Sequence, residues 1–385
     1  MIYADYNGSS PLLPEVNQYL QKRLNSTLFA NPNAIHSIGA KIHMGIEKCR
    51  EIIAEVLGCY PDQIIFTSGS SESISTIFHS VLDLKDSKKK KIILSPIEHA
   101  AVLGAAEYYS NTWGYELIYS PVDAHGLLDI KAFEALLSKH KNETALVTIM
   151  AANNETGVIQ PSLKIAELCN KEKVPYFSDT TQMITKHEFN FEKSGMDYAV
   201  GSSHKMGALV GGGIIIAKNP VMISPLVFGG GQEKGLRGGT QNYLAIETMA
   251  IALKAFQEQS SQLIALKSAR ENFEKEIALH CPDVVIFGDQ APRLAGTTLL
   301  SFPGIHGQAV QIELESLDIF ATTSAACSDN QPETSKVLKS MNIPDDIGRG
   351  VIRLSLSFLQ GQKEYSALVQ ALKAAYNKLS RIQSY

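Results

Sequence analysis

The sequence has few cysteines and no closely spaced pair of them. Its five cysteines are scattered along 385 residues, and no two of them form a Cys-x-x-Cys pair. A disulfide framework and a cysteine-rich zinc site both need closer spacing, so neither is indicated. The odd, scattered set favours a reducing compartment, and we expect a cytoplasmic protein without a bound metal ion.

Long hydrophobic runs and an excess of one charge are also missing. The longest near-apolar stretch, residues 207–217, is too short for a membrane span, and the N-terminus lacks the pattern of a signal peptide. Lys plus Arg number 35 against 39 Asp plus Glu, which gives a formal net charge of -4. This balance does not favour binding to nucleic acid or anionic lipid, so we expect neither as a direct partner.

The sequence does contain a regular α/β alternation. Between residues 14 and 250, helical patterns alternate with short β-rich runs that are bounded by Gly, Pro, Asn or Asp. The alternation predicts a mostly parallel sheet that is covered by helices. The strands we predict in it are residues 63–67, 91–95, 145–151, 174–178, 198–202 and 213–217.

A smaller α/β unit is predicted in the C-terminal part of the chain. Residues 244–280 form one long stretch with helical periodicity, which ends before Pro282. Further strands are predicted over residues 297–302, 319–323 and 351–357, with helical patterns between them. We therefore predict a large domain over residues 14–250 and a small domain formed by residues 1–13 and 251–385.

Polar residues follow several of the predicted strands, at the edge where ligands of open α/β sheets bind. The turn at residues 67–71 offers N–H groups and hydroxyls to an anion, although an ordinary helix N-cap has the same composition. His99, Asp179 and Lys205 follow other strands. A lysine for a Schiff base and an acid that faces a pyridinium nitrogen are what pyridoxal phosphate (PLP) requires. Together these residues indicate a PLP site, which none of them indicates alone.

Motifs in a fixed order extend from Tyr3 to Cys327. They are Tyr3-Ala4-Asp5-Tyr6, Asn31-Pro32 with His36, Thr67-Ser68-Gly69 with Glu72, Glu98-His99, Asn153-Asn154-Glu155-Thr156-Gly157, Asp179 with Gln182, Ser202 with His204-Lys205, Arg237 with Gly239-Thr240, and Ala326-Cys327. In order and spacing they resemble the cysteine desulfurases, over nearly the whole chain. Residues 327–338 resemble the longer cysteine loop of the IscS/NifS branch of these class V, fold type I PLP enzymes.

The resemblance implies a fold and a set of cofactor contacts. The fold has a large domain with a mostly parallel seven-stranded sheet covered by helices, and a smaller α/β C-terminal domain with the cysteine loop at about residues 322–332. Lys205 would form the Schiff base with PLP, Asp179 would contact the ring nitrogen, and Gln182 the ring hydroxyl. His99 would stack on the ring and move protons. The residues implied for the phosphate are Ser70, Ser71, Ser202 and His204, together with Thr240 from a second subunit.

The resemblance also implies the substrate contacts and the partners. Asn154, beside the cofactor, and Arg353 would orient L-cysteine, with the guanidinium paired to its α-carboxylate through two hydrogen bonds. Cys327 would attack the sulfur of that cysteine, which leaves L-alanine and a persulfide on the protein. The implied partners are a second copy of the chain and a sulfur-acceptor protein, either an iron–sulfur scaffold or a tRNA- or DNA-modifying enzyme.

Two other functions stay open at this point. An aminotransferase or a selenocysteine lyase would keep the PLP site, but an aminotransferase needs no thiol at Cys327 and releases a keto acid. A weakly active, PLP-bound scaffold for sulfur transfer would not need Lys205, Asp179 and His99 together. We therefore favour the desulfurase.

Overall fold

The protein is an α/β structure with one large and two small sheets. The structure, a computed structural model, describes residues 1–26, 28–82, 88–323 and 334–382. In chain order the strands are β1 Ile2–Tyr3, β2 Ile64–Thr67, β3 Lys91–Leu94, β4 Glu116–Tyr119, β5 Thr144–Thr148, β6 Tyr176–Asp179, β7 Tyr198–Ser202, β8 Gly213–Ala217, β9 Val285–Ile286, β10 Thr297–Ser301, β11 Ile319–Phe320 and β12 Val351–Ser355.

Helices connect and cover these strands. In chain order they are α1 Pro14–Leu24, α2 Ser37–Leu57, α3 Ser70–Val81, α4 Ala100–Trp113, α5 Ile130–His140, α6 Ser162–Glu172, α7 Phe191–Ser194, α8 Tyr243–Gln259, α9 Gln262–His280, α10 Gly307–Glu315, α11 Lys336–Ser340, α12 Asp345–Gly348 and α13 Gln362–Ile382. In the described ranges, no helix combines the length and the apolar composition that crossing a bilayer requires.

The large sheet has the strand order β2-β8-β7-β6-β5-β3-β4. Strand β8 runs antiparallel to both of its neighbours, and the other pairs are parallel. The predicted mostly parallel, seven-stranded sheet is therefore confirmed. Strands β5 to β8 are buried throughout, as expected for a sheet that helices cover on both faces.

Alternate residues of one strand belong to different hydrophobic cores. In β8, Ile214 and Ile216 pack into the core that includes α2 and α8, whereas Ile215 packs into the core that includes α3 and α4. Successive side chains of a strand point to opposite faces, so the two cores lie on the two sides of the large sheet.

The small sheets are built largely from the C-terminal part of the chain. Strands β12, β10 and β9 form an antiparallel sheet, and β1 pairs in parallel with β11. A third core joins them to α9, α10 and α13. The first residues of the chain thus pack with its last third, and the predicted division into domains at residue 250, which falls inside α8, stays a prediction.

The predicted continuous helical stretch over residues 244–280 is wrong in one respect. It consists of two helices, α8 and α9, which are separated at Ser260 and Ser261. The Ser260 hydroxyl donates to the carbonyl of Gln257 at 3.2 Å. A serine side chain that hydrogen-bonds locally competes with the helical pattern, and this bond lies at the break.

Candidate active site

A cavity of about 650 Å³ opens at the carboxyl ends of the central strands. Strand β6 ends at Asp179, and β7 leads into a short 3₁₀ turn that ends at Lys205. Arg353 reaches the same cavity from β12 of the small sheet. Every predicted site residue except Thr240 and Cys327 lines this cavity, namely Ser70, Ser71, His99, Asn154, Asp179, Gln182, Ser202, His204, Lys205 and Arg353.

Two predicted site residues are not among those that line the cavity. Thr240 is exposed and does not contribute to the cavity of its own chain, as far as the described residues show. Cys327 lies outside the described residues, as does the predicted cysteine loop from residue 324 onwards. The described chain reaches the cavity wall at Thr322 and Thr323. There the main-chain N–H of Arg353 donates to the Thr322 carbonyl at 2.7 Å.

The Lys205 amine points at the main chain that follows β1. Its Nζ donates to the carbonyl oxygen of Asn7 at 2.8 Å and to that of Gly8 at 2.5 Å. A second amine, that of Lys186, donates to the Asn7 side-chain oxygen at 3.1 Å. Two ammonium groups therefore share one asparagine at the floor of the site, and the second was not predicted from the sequence.

Asp179 lies near a second buried carboxyl group, that of Glu98. Asp179 itself is buried, and its Oδ1 accepts the Thr181 N–H at 3.0 Å. Glu98 Oε1 accepts the Met150 N–H at 2.8 Å, while its Oε2 is buried with no hydrogen-bond partner among the described residues. Burial, reinforced by the charge of Asp179, raises the pKa of Glu98 well above its usual range. Glu98 is thus neutral, and the Asp179 side chain is the carboxyl group of the two that lines the cavity.

Each of the two imidazoles of the site makes a hydrogen bond through its Nδ1 atom. His99 caps α4, and its Nδ1 accepts the Ala101 N–H at 3.1 Å, so the ring proton of the neutral form lies on Nε2. His204 Nδ1 lies 3.2 Å from the Ser9 hydroxyl. Burial, together with the charges of Lys205 and Lys186, lowers the pKa of His204 to about 4. His204 is therefore neutral at pH 7.

One end of the cavity is suited to an anion. The first turn of α3 begins at Ser70, and a helix leaves its first N–H groups unpaired, where they attract negative charge. A Cβ atom on Gly213 would lie 2.5 Å from the Gly69 backbone, so only glycine allows β8 to pass this close to the turn. The Ser70 hydroxyl is 2.7 Å from that of Thr181, which ties the turn to the strand end that carries Asp179.

Arg353 is held at the opposite side of the cavity. Its Nη1 donates to the Asn154 carbonyl at 2.9 Å and its Nη2 to Asp5 Oδ1 at 2.5 Å. Its Nε is buried with no hydrogen-bond partner among the described residues. A Cβ atom on Gly8 would lie 2.2 Å from the Asp5 carboxylate, so the turn that holds Asp5 needs glycine there. The guanidinium keeps donors for an added carboxylate.

The cavity therefore combines four chemical functions. It offers N–H groups to an anion, an amine at Lys205 for a carbonyl, the anion of Asp179, and a guanidinium for a carboxylate. In the described part of the chain, no group of three or more His, Cys, Asp or Glu side chains could hold a metal ion. This set fits a phosphorylated aldehyde and an amino acid better than it fits a metal centre.

Sequence reasoning missed the side chains that support this site. Asp5 and Glu98 stand inside quoted motifs but received no role, and Lys186 was not singled out. The one signal for Lys186 is its spacing, because it follows Gln182 by four residues. The turn between them is irregular, so no helical or strand period reveals that spacing.

Comparisons with known proteins agree over the length of the chain. The family model described as Aminotransferase class-V matches residues 2–368. The cysteine desulfurase IscS of Dictyoglomus turgidum is 31% identical over 385 residues, which cover 100% of this chain and 96% of that protein. A solved NifS-like protein superposes with a TM-score of 0.89 at 32% identity, covering 98% of this chain and 100% of the other. The structure of SspA in complex with cysteine has a TM-score of 0.80 at 27% identity, covering 92% and 99%.

Proposed function

The chain belongs to the class-V aminotransferase family, and on that basis we propose that it is a PLP-dependent cysteine desulfurase, which converts L-cysteine to L-alanine. One observation carries the proposal: Lys205, Asp179 and Arg353 line a single cavity in a chain that aligns throughout with a cysteine desulfurase. The sulfur would pass to the thiol of Cys327 as a persulfide and from there to an acceptor protein.

The residues around the cavity fit PLP. The N-terminal turn of α3, with Ser70 and Ser71, would receive the phosphate together with Ser202 and neutral His204. The contact between the Ser9 hydroxyl and His204 Nδ1 fits this assignment: with the hydroxyl as the donor, Nε2–H would be the donor of the neutral ring to the phosphate. The Lys205 amine would bind the aldehyde carbon.

PLP, when bound, supplies an electron sink for the bonds around the α-carbon of the amino acid. The chain provides the charges that this requires. The Asp179 carboxylate, beside neutral Glu98, would hold a proton on the ring nitrogen. His99 would present Nε2–H at the mouth of the site, where it can give a proton to the substrate and recover it from water.

Arg353 and Asn154 would orient the substrate. The guanidinium is fixed on one side by Asp5 and by the Asn154 carbonyl, so its remaining donors have a defined direction. A carboxylate that accepts two of them would be held in one plane. With its carboxylate held in this way, the substrate would keep its side-chain sulfur free for the protein thiol.

Two observations support Cys327 as that thiol. Burial raises the pKa of each of the four cysteines that the structure describes, to about 12 for Cys49 and Cys59 and to about 11 for Cys281. A thiol needs its thiolate form to react, so these four are poor nucleophiles. Cys327 follows Thr323 at the cavity wall by four residues, which span at most about 14 Å when extended, and this tether lets the thiol reach the substrate.

We further propose a cytoplasmic homodimer with a separate acceptor protein. Arg237 pairs with Glu72 at 2.8 Å, which places the glycine-rich segment at residues 228–240 beside the N-terminus of α3. Thr240 is exposed in one chain and would complete the phosphate site of a second copy. Unpaired cysteines fit a reducing compartment. Sedimentation of a fully active protein as a strict monomer would rule the dimer out.

The test of the function is product analysis. The PLP-loaded protein is incubated with a reductant and either L-cysteine or L-selenocysteine, and sulfide or selenide, alanine and keto acid are measured. Equal amounts of sulfide and alanine support a desulfurase. A keto acid product would identify an aminotransferase, turnover of selenocysteine alone a selenocysteine lyase, and no product a scaffold.

A further inference from the structure

We propose that Lys186 is a positioning residue that acts through Gln182. It holds the Gln182 side chain so that the amide N–H₂, and not the carbonyl oxygen, faces the ring hydroxyl of the cofactor. The inference rests on the proposed function, in which Gln182 lies beside that hydroxyl.

Two hydrogen bonds fix the orientation of the Gln182 amide. Lys186 Nζ donates to Gln182 Oε1, and Gln182 Nε2 donates to the Asn7 carbonyl at 2.9 Å. A lysine ammonium can only donate and a carbonyl can only accept, so exchanging the amide nitrogen and oxygen would break both contacts. Gln182 lines the cavity, and the described residues use one of its two Nε2 protons. The second proton is the one available to a ligand.

Lys186 is itself firmly placed. Besides Gln182, its Nζ donates to the Tyr6 carbonyl at 3.2 Å and to Asn7 Oδ1 at 3.1 Å, which matches the three protons of an ammonium group. Asn7 Nδ2 donates to the Asn154 carbonyl and to the Thr297 hydroxyl, so its Oδ1 is the acceptor that faces Lys186. No contact in this chain of hydrogen bonds can be reversed.

The charges around Lys186 show that burying its amine here costs free energy. Burial, with the cations of Lys205 and Arg353, lowers the pKa of Lys186 well below its usual range, and Asp5 is the anion that opposes them. The three oxygen acceptors around Nζ favour the protonated amine, and the Asn7 carbonyl gives the Gln182 amide the same orientation beside a neutral one. The residue before it, Thr185, has a φ of 67°, a left-handed conformation that β-branched residues rarely adopt. An amine that only filled space would need neither the buried cation nor the strained turn.

The arrangement has a consequence for the cofactor. A donor on the ring oxygen stabilises its anionic form, and hydrogen bonds in series polarise one another. Lys186 would therefore favour loss of the proton that the ring oxygen shares with the nitrogen of the Lys205 linkage. Without Lys186, the amide loses one of the two hydrogen bonds that hold and polarise it, so its N–H stabilises the anion less and the shared proton is lost only at higher pH.

The experiment is a pH titration of the visible absorbance of the PLP-loaded protein, without substrate. Wild type, Lys186→Met, Gln182→Ala and the double variant are compared. We expect Lys186→Met to raise the midpoint by about half to one pH unit, which corresponds to the loss of one hydrogen bond. In the Gln182→Ala background, the same substitution should add no shift. The other titratable groups around the site are unchanged throughout, namely Lys205, Arg353, Asp5, Glu72, Asp179, Glu98, His99 and His204.

Two other results would overturn the inference. An equal shift in the Gln182→Ala background would mean that Lys186 acts directly through its charge, because a double-mutant cycle isolates the coupling of the pair. If the substitution shifts the midpoint in neither background, Lys186 acts neither on Gln182 nor on the cofactor. Lys193→Met, on the exposed face of α7, is the matched control and should leave the midpoint unchanged.

Folding and function are checked separately. If Lys186→Met does not fold, Lys186→Leu takes its place, since it also removes the N–H donor and leaves an apolar side chain. A raised midpoint that depends on Gln182 would support the inference, and any other result would overturn it. The wild type alone tests the proposed function: if PLP leaves no borohydride-reducible linkage on it, the proposed function fails, and the inference fails with it.

Discussion

Asp5 and Arg353 are 348 residues apart in the sequence, yet Asp5 Oδ1 and Arg353 Nη2 lie 2.5 Å apart. The pair connects the segment after β1 to β12, and the Arg353 side chain is 8% exposed. The N-terminal residues of the chain thus set the direction of the guanidinium that is proposed to bind the substrate carboxylate.

The first prediction follows from this pair. In Asp5→Ala the guanidinium loses its carboxylate partner and can rotate, so KM for L-cysteine should rise about tenfold, with a smaller loss in kcat. Steady-state sulfide production measures both. Asp5→Asn keeps an acceptor for Nη2 and should show a smaller increase in KM. An unchanged KM in Asp5→Ala would show that Asp5 does not contribute to substrate binding.

The second prediction concerns the stability of the small sheets. Glu274 on α9 receives hydrogen bonds from Arg270, Arg293 and the Thr298 hydroxyl, and both arginines are 4% exposed. Glu274→Ala leaves buried Arg293 without a carboxylate partner and leaves Arg270 only Glu271, at 3.6 Å, so the free energy of unfolding measured in urea should fall by about 3–5 kcal/mol. Glu271→Ala, at a 46% exposed side chain one turn away, should cost less than about 1 kcal/mol. Equal losses of stability in Glu274→Ala and Glu271→Ala would contradict the prediction that Glu274 stabilises the small sheets.

The third prediction is a pH dependence. The pKa of His204 is lowered from 6.5 to about 4, so between these values the unfolded chain binds a proton that the folded protein does not. The contribution of His204 to stability is therefore present above pH 6.5 and is lost as the pH falls toward 4. In PLP-free protein, thermal midpoints should fall less steeply over this range in His204→Gln than in wild type. His43→Gln, at an exposed site, should follow the wild type.

The fourth prediction tests the proposed role of Lys205. Wild type incubated with PLP and reduced with borohydride should carry the cofactor covalently on the peptide that contains Lys205. Lys205→Ala should carry none. Lys186 remains near the site in this variant, but its amine already donates to three acceptors. A reduced linkage on Lys186 in this variant would show that either lysine can bind the aldehyde.

The sequence predicts the large sheet well because its strands are short, apolar and bounded by turn residues. Strand β7 is found over the predicted residues 198–202, and β8 over 213–217. Strand β4 was not predicted, since it lies at the edge of the sheet and its residues are exposed or half-buried. A strand with a solvent-exposed side lacks the continuous apolar run that marks the other strands.

The site could be predicted only in part, and the limit is physical. Residues such as Asp179 and Lys205 follow strands, so a local pattern places them at one edge of the sheet. The contact of Asp5 with Arg353 depends on how β1 packs against the small sheet, which no local pattern encodes. The position of Lys186 depends on a left-handed turn at Thr185, where the usual signal, a glycine, is absent.

The central claim is that Cys327 accepts sulfur from L-cysteine, and peptide mass spectrometry tests it most directly. The PLP-loaded protein is treated with L-cysteine without reductant and digested. We expect about 32 Da, the mass of one sulfur atom, to be added to Cys327 and to none of Cys49, Cys59, Cys169 or Cys281. Cys327→Ser should bind PLP as wild type does, lack the added mass and release almost no sulfide, because a serine hydroxyl cannot accept sulfur as a persulfide. Undiminished sulfide release by Cys327→Ser, or added sulfur on another cysteine, would contradict the account.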